Sequence, residues 1–203
     1  MKIKPVILVG GKSRRFGTDK FFLVLNGNLV FERTYRILKS VFGVEPVFIG
    51  RQAPISNYEF REDLIPSLGP IGGLYTALKL YNDVDFVFLV ACDMPLIKKE
   101  VLEYMKATLN GQSFSYIPKL ENGFIEPMFA FYSSKLLPIV ERNIKANDLK
   151  LRSLLIDKVQ YLEVYKIKDI DPELLSFLNI NTKSDFDRIC SIIKNENIED
   201  FAI

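Results

Sequence analysis

The sequence predicts a three-layer α/β fold built on a Rossmann-like, mainly parallel sheet. Short apolar runs recur at positions 6–9, 47–49 and 86–91, and each is followed by turn residues and a longer helical pattern. That alternation is typical of strands joined by helical crossovers. Because 48% of the 203 residues are hydrophobic, we expect a single domain over residues 1–203.

Four helices are predicted around these strands. The first covers residues 29–42 and ends at Gly43, with apolar side chains on one face. The others cover residues 72–81, 98–109 and 134–145, and Pro138 restricts where the last of them begins. The polar face of the first helix consists of Glu32, Arg33, Arg36 and Lys39.

Two further elements follow from turn and capping signals. Residues 114–120 and 124–132 flank Glu121-Asn122-Gly123, which predicts an antiparallel hairpin because Asn-Gly tolerates positive φ angles. Thr182 is a candidate cap of a helix running to Lys194, with Asp185 as its capping-box partner.

Charge and composition exclude several functional classes. Lys and Arg number 27 against 25 Asp and Glu, so no overall field favours nucleic acid or an anionic membrane. The absence of histidine excludes His-dependent triads and most transition-metal sites. Cys92 and Cys190 are far apart and lack metal-ligand spacing. We expect a cytoplasmic protein that does not cross a membrane.

A glycine-bounded basic loop after the first strand is the most informative segment. Gly10, Gly11 and Gly17 allow backbone N–H groups to approach phosphate, and four cations accompany them: Lys12, Arg14, Arg15 and Lys20. The alternative is an exposed basic turn. The loop is not a P-loop, because Val6 stands where its first glycine would be, and GxGxxG is absent.

Asp93 closely follows the apolar run at 86–91. A carboxylate at the end of such a strand can bind magnesium that bridges phosphate oxygens. The alternative for Asp93 is a turn or capping residue ahead of Pro95. Asp63 is a candidate hydrogen-bond acceptor for the nucleotide, and without that role it is an ordinary acidic turn residue. Asn181 is either a second metal ligand or a turn residue before Thr182.

These segments resemble the molybdenum cofactor guanylyltransferases. Residues 8–20 are similar to that family's L-A-G-G-x-S-x-R-M-G-x-D-K loop, with Val9 and Phe16 as the clear departures. The resemblance continues through residues 60–63, 68–74, 88–96 and 177–182, and it is loose at 110–169. Gly69, Pro70 and Gly73 belong to one of these segments and are expected to shape the loop beside the nucleotide.

The resemblance implies a nucleotidyltransferase of the nucleotide-diphospho-sugar transferase fold. Its implied reaction is transfer of GMP from GTP to the phosphate of molybdopterin with Mg²⁺, which releases pyrophosphate. Transient contact with cofactor-synthesis and acceptor enzymes is also expected. The implied nucleotide-binding residues are Leu8, Val9, Gly10, Gly11, Lys20, Asp63 and Asp93. The implied metal ligands are Asp93 and Asn181, and the expected catalytic residues are Arg15, Lys20 and Asp93.

Two alternatives to this function stay open at the level of sequence. One is cytidylyl transfer to the same cofactor or to a small phosphorylated alcohol. Gly10 favours a purine, because related cytidylyltransferases carry alanine there. The other is a non-catalytic nucleotide-binding regulator, although retaining Arg15, Lys20 and Asp93 exceeds what binding alone requires. Phe131, Tyr132 and Arg152 are left unassigned for the acceptor pocket.

Overall fold

A computed structural model describes residues 1–10, 20–25, 27–53 and 55–195 of the chain. The helices are α1 (Val30–Phe42), α2 (Pro70–Leu80), α3 (Lys99–Thr108), α4 (Leu137–Lys145) and α5 (Lys183–Asn195). The strands are β1 (Ile3–Leu8), β2 (Val24–Leu25), β3 (Asn28–Leu29), β4 (Val47–Gly50), β5 (Glu59–Glu62), β6 (Phe86–Ala91), β7 (Ser115–Lys119), β8 (Phe129–Ser133) and β9 (Val159–Glu163).

In the described part of the chain, the main sheet has seven strands in the order β5-β4-β1-β6-β8-β7-β9. All neighbours are parallel except at β8, which pairs antiparallel with both β6 and β7. The predicted mainly parallel sheet is therefore confirmed. The β2–β3 pair is a separate small hairpin.

Two layers of helices cover the two faces of the sheet. Alternate residues of β1 separate the layers: Ile7 packs into a core that includes side chains of α1 and α3, whereas Val6 and Leu8 pack into one that includes side chains of α2 and α4. A third, smaller cluster joins α5 to the β2–β3 hairpin through Leu25, Val30 and Ile189. This is the predicted three-layer arrangement, because a buried parallel sheet needs cover on both faces.

The predicted helix boundaries are close to those observed. Gly43 ends α1 with a φ of 71°, a conformation that glycine adopts without steric cost. α2 begins two residues before the predicted start, because Pro70 occupies its first turn and proline suits that position. α4 follows a single 3-10 turn at Ser134–Leu136. Asp185 accepts a hydrogen bond from the N–H of Thr182 at 2.7 Å, which confirms the predicted cap of α5.

Three predictions at the element level were wrong or incomplete. The predicted hairpin is present but its strands are shorter than expected: Gly123 has a φ of 81° in the turn and Lys119 bridges Ile125 antiparallel, whereas residues 120–128 separate the paired strands β7 and β8. Pro127 has no N–H for the ladder, and the Met128 N–H donates to the Glu126 side chain at 3.2 Å instead of to a neighbouring strand. Arg33 was assigned to the polar face of α1, yet it is only 6% exposed. The edge strands β5 and β9 were not predicted, because their polar side chains obscure the alternation of apolar and polar residues that indicates a strand.

Among the described residues, no helix has both the length and the apolar character needed to span a bilayer. Phe131 and Tyr132 are fully buried in the cores on the two faces of the sheet. They are scaffold residues and do not line an acceptor pocket.

Candidate nucleotide and metal site

The candidate site lies where parallel strands of the main sheet end. Gly10 follows β1, Arg51 follows β4, Asp63 follows β5 and Asp93 follows β6. These strands run in the same direction, so the four positions share one edge of the sheet. In open α/β folds this edge is where ligands bind.

Lys20, Asp93 and Asn181 are brought together from three distant parts of the chain. The Lys20 Nζ atom lies 3.3 Å from Asp93 Oδ2 and 3.4 Å from Asn181 Oδ1. The side chains of Lys20 and Asp93 are 18% and 21% exposed, so a ligand can still reach them. Three residues proposed separately from sequence thus form one polar cluster.

The backbone around Asp93 also fixes the C-terminal segment. The N–H of Ile180 donates to the Asp93 carbonyl oxygen at 2.9 Å. Asn181 follows directly, and its own N–H donates to Asp185 Oδ2 at 3.0 Å. Asn181 is therefore held on one side by the loop after β6 and on the other by the cap of α5.

Burial raises the pKa of the Asp93 carboxyl above its ordinary value, and the nearby Lys20 ammonium partly opposes this effect. The carboxylate is thus poorly solvated, and among the described residues the Lys20 ammonium is its cationic partner. Such a group gains from a further cation in the site, because the cation replaces lost hydration.

The donor atoms fit a hard divalent cation. Asp93 offers a carboxylate oxygen and Asn181 an amide oxygen, and the Lys20 ammonium already lies within hydrogen-bond distance of both. Among the described residues, no group of three or more acidic, Cys or His side chains is arranged around a metal position. Mg²⁺ needs no such group, since one or two protein ligands and substrate phosphates commonly complete its shell.

Asp63 follows the edge strand β5 with one carboxylate oxygen turned inward. Within the described residues, its Oδ1 atom is buried and accepts no hydrogen bond. Burial raises the pKa of this carboxyl. A buried acceptor without a donor is unfavourable, and a ligand that supplies an N–H or O–H group would relieve that cost.

The end of β1 brings backbone close to the site. Leu8 and Val9 are buried, Gly10 is exposed, and the Val9 N–H donates to the Ile49 carbonyl at 2.8 Å. A Cβ atom added at Gly10 would meet no described atom within 4 Å. The expected role of Gly10 in leaving room for a purine edge stays a prediction.

The glycines near α2 have distinct structural roles. Gly69 adopts a φ of 68° at the N-terminal cap of α2. A Cβ atom at Gly73 would lie 2.5 Å from the side chain of Leu8. The absence of a side chain at Gly73 therefore lets the first turn of α2 pack directly against the end of β1, as the expected loop-shaping role requires.

Part of the predicted loop lies outside the described residues. Gly11 and Arg15 are in this stretch, as are Lys12, Arg14, Gly17 and Asp19. Their predicted roles in binding phosphate and in catalysis stay predictions.

Glu126 and Asn179 are candidate site residues that the sequence reasoning missed. Glu126 lies in the connection between β7 and β8, its Oε1 accepts from the Met128 N–H at 3.2 Å, and its side chain bonds to Asn179. Burial, with a smaller contribution from the nearby Asp93 carboxylate, raises the pKa of Glu126. The signal was an acidic residue before Pro127 inside an otherwise apolar strand pattern.

Arg51 was also missed. It follows Gly50 at the end of β4, and its guanidinium lies 5.4 Å from the ring centroid of Phe21, the residue after Lys20. A cation over an aromatic ring at this distance is attracted to the ring face. Arg51 therefore places a further positive charge beside the segment that carries Lys20. Arg152, which the sequence left unassigned, is exposed on a 3-10 turn.

Several known proteins are similar to this chain over most of its length. Residues 5–163 match the family model described as the MobA-like NTP transferase domain. A protein from Aquifex aeolicus named as a probable molybdenum cofactor guanylyltransferase is 38% identical over 196 residues, which cover 92% of this chain and 89% of that protein. One of the same name from Bacillus subtilis is 30% identical over 190 residues, with coverage of 92% and 94%.

A solved structure gives the same result for the fold. The molybdopterin-guanine dinucleotide biosynthesis protein A from Archaeoglobus fulgidus superposes with a TM-score of 0.80 at 31% identity. The match covers 95% of this chain and 99% of that one.

Proposed function

The chain belongs to the MobA-like NTP transferase family, and on that premise we propose that it transfers GMP from GTP to the phosphate of molybdopterin. The products are the guanine dinucleotide cofactor and pyrophosphate. The observation that carries the proposal is the contact of Lys20 with both Asp93 and Asn181 at the carboxyl edge of the sheet. The names of the relatives favour guanylyl over cytidylyl transfer.

In this reaction a phosphate oxygen of molybdopterin attacks the α-phosphorus of GTP. A new P–O bond forms, the bond between the α-phosphorus and the bridging oxygen breaks, and pyrophosphate leaves with that electron pair. Two anions must meet, so cations can provide most of the catalysis. The attacking phosphate is already ionised near neutral pH, which is consistent with a chain that has no histidine.

Each residue of the Lys20–Asp93–Asn181 cluster has a proposed role, as does Arg15, which lies outside the described residues. Lys20 neutralises charge at the α-phosphate, and Arg15 stabilises charge that develops toward pyrophosphate. Asp93 and Asn181 hold a divalent metal ion, which we take to be Mg²⁺. When bound, such an ion would supply positive charge that lowers the repulsion between the reacting anions.

Asp63 and the end of β1 are proposed to bind the nucleoside part of GTP. The buried Oδ1 of Asp63 is available, within the described residues, for a donor on the nucleotide. Leu8, Val9 and Gly10 present backbone to the same edge, and Gly11 continues that segment. No disulfide joins Cys92 and Cys190, which is consistent with the proposed cytoplasmic location. Transient docking to the enzymes that supply and receive the cofactor completes the proposal.

The test is calorimetric titration of GTP, CTP and ATP with Mg²⁺ into the wild-type protein and into Asp93→Asn and Lys20→Met. We expect GTP to bind most tightly and both substitutions to weaken its binding. In an assay with molybdopterin, each should lower kcat by about 100- to 1,000-fold, the range for loss of one electrostatic group. Tighter binding of CTP would reassign the reaction to cytidylyl transfer. GTP binding without turnover would instead support the alternative of a non-catalytic nucleotide-binding regulator.

A further inference from the structure

Helix α1 is hydrogen-bonded to the loop that carries Asp93. Arg33 Nη1 donates to the carbonyl oxygens of Pro95 at 2.9 Å and Ile97 at 2.7 Å. The neighbouring Thr34 Oγ1 donates to the Met94 carbonyl at 3.0 Å. Three carbonyls that follow Asp93 are thus bound by two adjacent residues of one helix.

These bonds are removed from solvent. Thr34 is fully buried and Arg33 is 6% exposed. Hydrogen bonds from a charged donor are stronger than neutral ones, and a buried carbonyl that loses its donor is costly. The loop after β6 therefore has little freedom to shift relative to α1.

The same helix is attached to the segment that carries Lys20. Phe21 stacks on Phe31 of α1 with ring centroids 4.3 Å apart and an interplanar angle of 4°. The N–H of Val30 donates to the Leu23 carbonyl at 2.8 Å. Phe21 is 2% exposed, so burial fixes this attachment as well.

Lys20 and Asp93 are 73 positions apart in sequence and 3.3 Å apart at their charged ends. Lys20 begins a 3-10 turn of three residues and Asp93 lies in a turn, and neither segment alone would fix so short a distance. A helix is a rigid element, and both segments are attached to the first turns of this one. The Lys20–Asp93 distance consequently depends on α1.

We propose that Arg33 and Thr34 are positioning residues that set the Asp93 loop relative to Lys20, with α1 as the connecting element. This inference rests on the proposed function, in which Asp93 holds the metal ion and Lys20 meets the α-phosphate. Neither Arg33 nor Thr34 touches the reacting atoms in this proposal. They act through the backbone that places Asp93.

The experiment uses Thr34→Val, which keeps the side-chain shape and removes the hydroxyl donor. Mn²⁺ binding is measured by electron paramagnetic resonance with GTP present and no acceptor, together with kcat, KM and Tm. We expect Mn²⁺ affinity to fall about 10-fold and kcat about 10- to 100-fold, since small displacements of a reacting group have effects of this size. Arg33→Lys, which keeps the charge but not the fork of donors, should also weaken Mn²⁺ binding.

The matched control is Asn143→Leu. Asn143 lies in α4 on the other face of the sheet, is 7% exposed, and donates to the Ser153 carbonyl at 3.4 Å. This variant also loses one partly buried hydrogen bond to a backbone carbonyl, so its Tm should fall while Mn²⁺ affinity and kcat stay near wild type. If Thr34→Val behaves like this control, the positioning role is overturned.

Asp93→Asn distinguishes failure of the proposed metal site from failure of the positioning role alone. If Asp93→Asn binds Mn²⁺ with GTP as tightly as the wild type, the proposed metal site and the positioning role both fail. If it loses Mn²⁺ binding while Thr34→Val retains it, only the positioning role fails. In the double variant, Thr34→Val should cause no further loss of Mn²⁺ affinity, because coupled residues are not additive.

Discussion

At the residue scale, Asp63 shows how a proposed binding group can lower the stability of the ligand-free protein. Its buried Oδ1 has no hydrogen-bond donor within the described residues, and burial raises the pKa of its carboxyl. A pKa above the unfolded value means that the folded state binds the proton more tightly. The associated stability is therefore fully present below the unfolded pKa and is lost as the pH rises through the folded pKa.

Asp63→Asn should raise the Tm of the ligand-free protein at pH 7 and weaken GTP binding about 10-fold or more. The Tm difference from wild type should shrink as the pH is lowered through the raised pKa of the Asp63 carboxyl, where the wild-type group takes up its proton. Thermal melts across this range and titration of GTP provide the measurement. Glu62→Gln, the same charge change at an exposed neighbour, should alter neither quantity appreciably. An unchanged GTP affinity in Asp63→Asn would remove Asp63 from the site.

Gly50 shows a requirement of a different kind. It has a φ of 132°, and a Cβ atom there would lie 2.2 Å from the Val9 carbonyl oxygen. The backbones at the ends of β1 and β4 therefore approach as closely as they do only because this residue is glycine. The edge of the sheet that carries the proposed nucleotide site depends on that approach.

At the scale of elements, the start of α5 connects helix stability to the site. Asp185 Oδ2 accepts from the Thr182 N–H at 2.7 Å and from the Asn181 N–H at 3.0 Å. Asp185 N–H in turn donates to Thr182 Oγ1 at 3.2 Å. This reciprocal capping box also holds Asn181, whose Oδ1 lies 3.4 Å from Lys20 Nζ.

Asp185→Ala should lower the free energy of unfolding by about 1 kcal/mol, the usual contribution of a helix cap. It should also weaken GTP binding in the presence of Mg²⁺, because Asn181 loses the acceptor of its N–H group. Denaturant unfolding and nucleotide titration measure the two effects. Asp187→Ala, an equal charge change at an exposed site two residues along, is the comparison. Equal GTP affinity in the two variants would contradict the link between the cap and the site.

At the scale of the whole molecule, the site joins segments from most of the chain. Gly10 and Lys20 come from one loop, and Asp63, Asp93 and Asn181 come from three further segments. A ligand that bridges them stabilises the folded state, because the unfolded chain cannot bring them together. The interpretation of residues 1–203 as a single domain stays a prediction, while the family model matches residues 5–163.

GTP at about 100 times its Kd, with Mg²⁺, should stabilise the fold by about 2.7 kcal/mol. For a chain of this length that corresponds to a Tm increase of about 5–10 °C. Thermal melts with GTP, CTP and ATP measure it, and GTP should give the largest shift. A shift that persists in Lys20→Met and Asp93→Asn would show that binding does not use the Lys20–Asp93 cluster.

The sequence was sufficient for the elements whose signals are local. β1, β4 and β6 are short apolar runs, α1 has an apolar face and a terminal glycine, and the cap of α5 lies within four residues. The basic loop and Asp93 could be singled out because glycines, cations and a carboxylate directly follow such strands. These features depend on neighbours in the chain, so the chain alone reveals them.

Only the tertiary structure decided the contacts between distant segments. Arg33 has the spacing of a surface residue, yet it is buried because the carbonyls of Pro95 and Ile97 take its hydrogen bonds. Glu126 meets Asn179, and Lys20 meets Asp93, across more than fifty positions of sequence. The physical reason is that a buried charge needs a partner, and the packing of helices on the sheet selects that partner from anywhere in the chain.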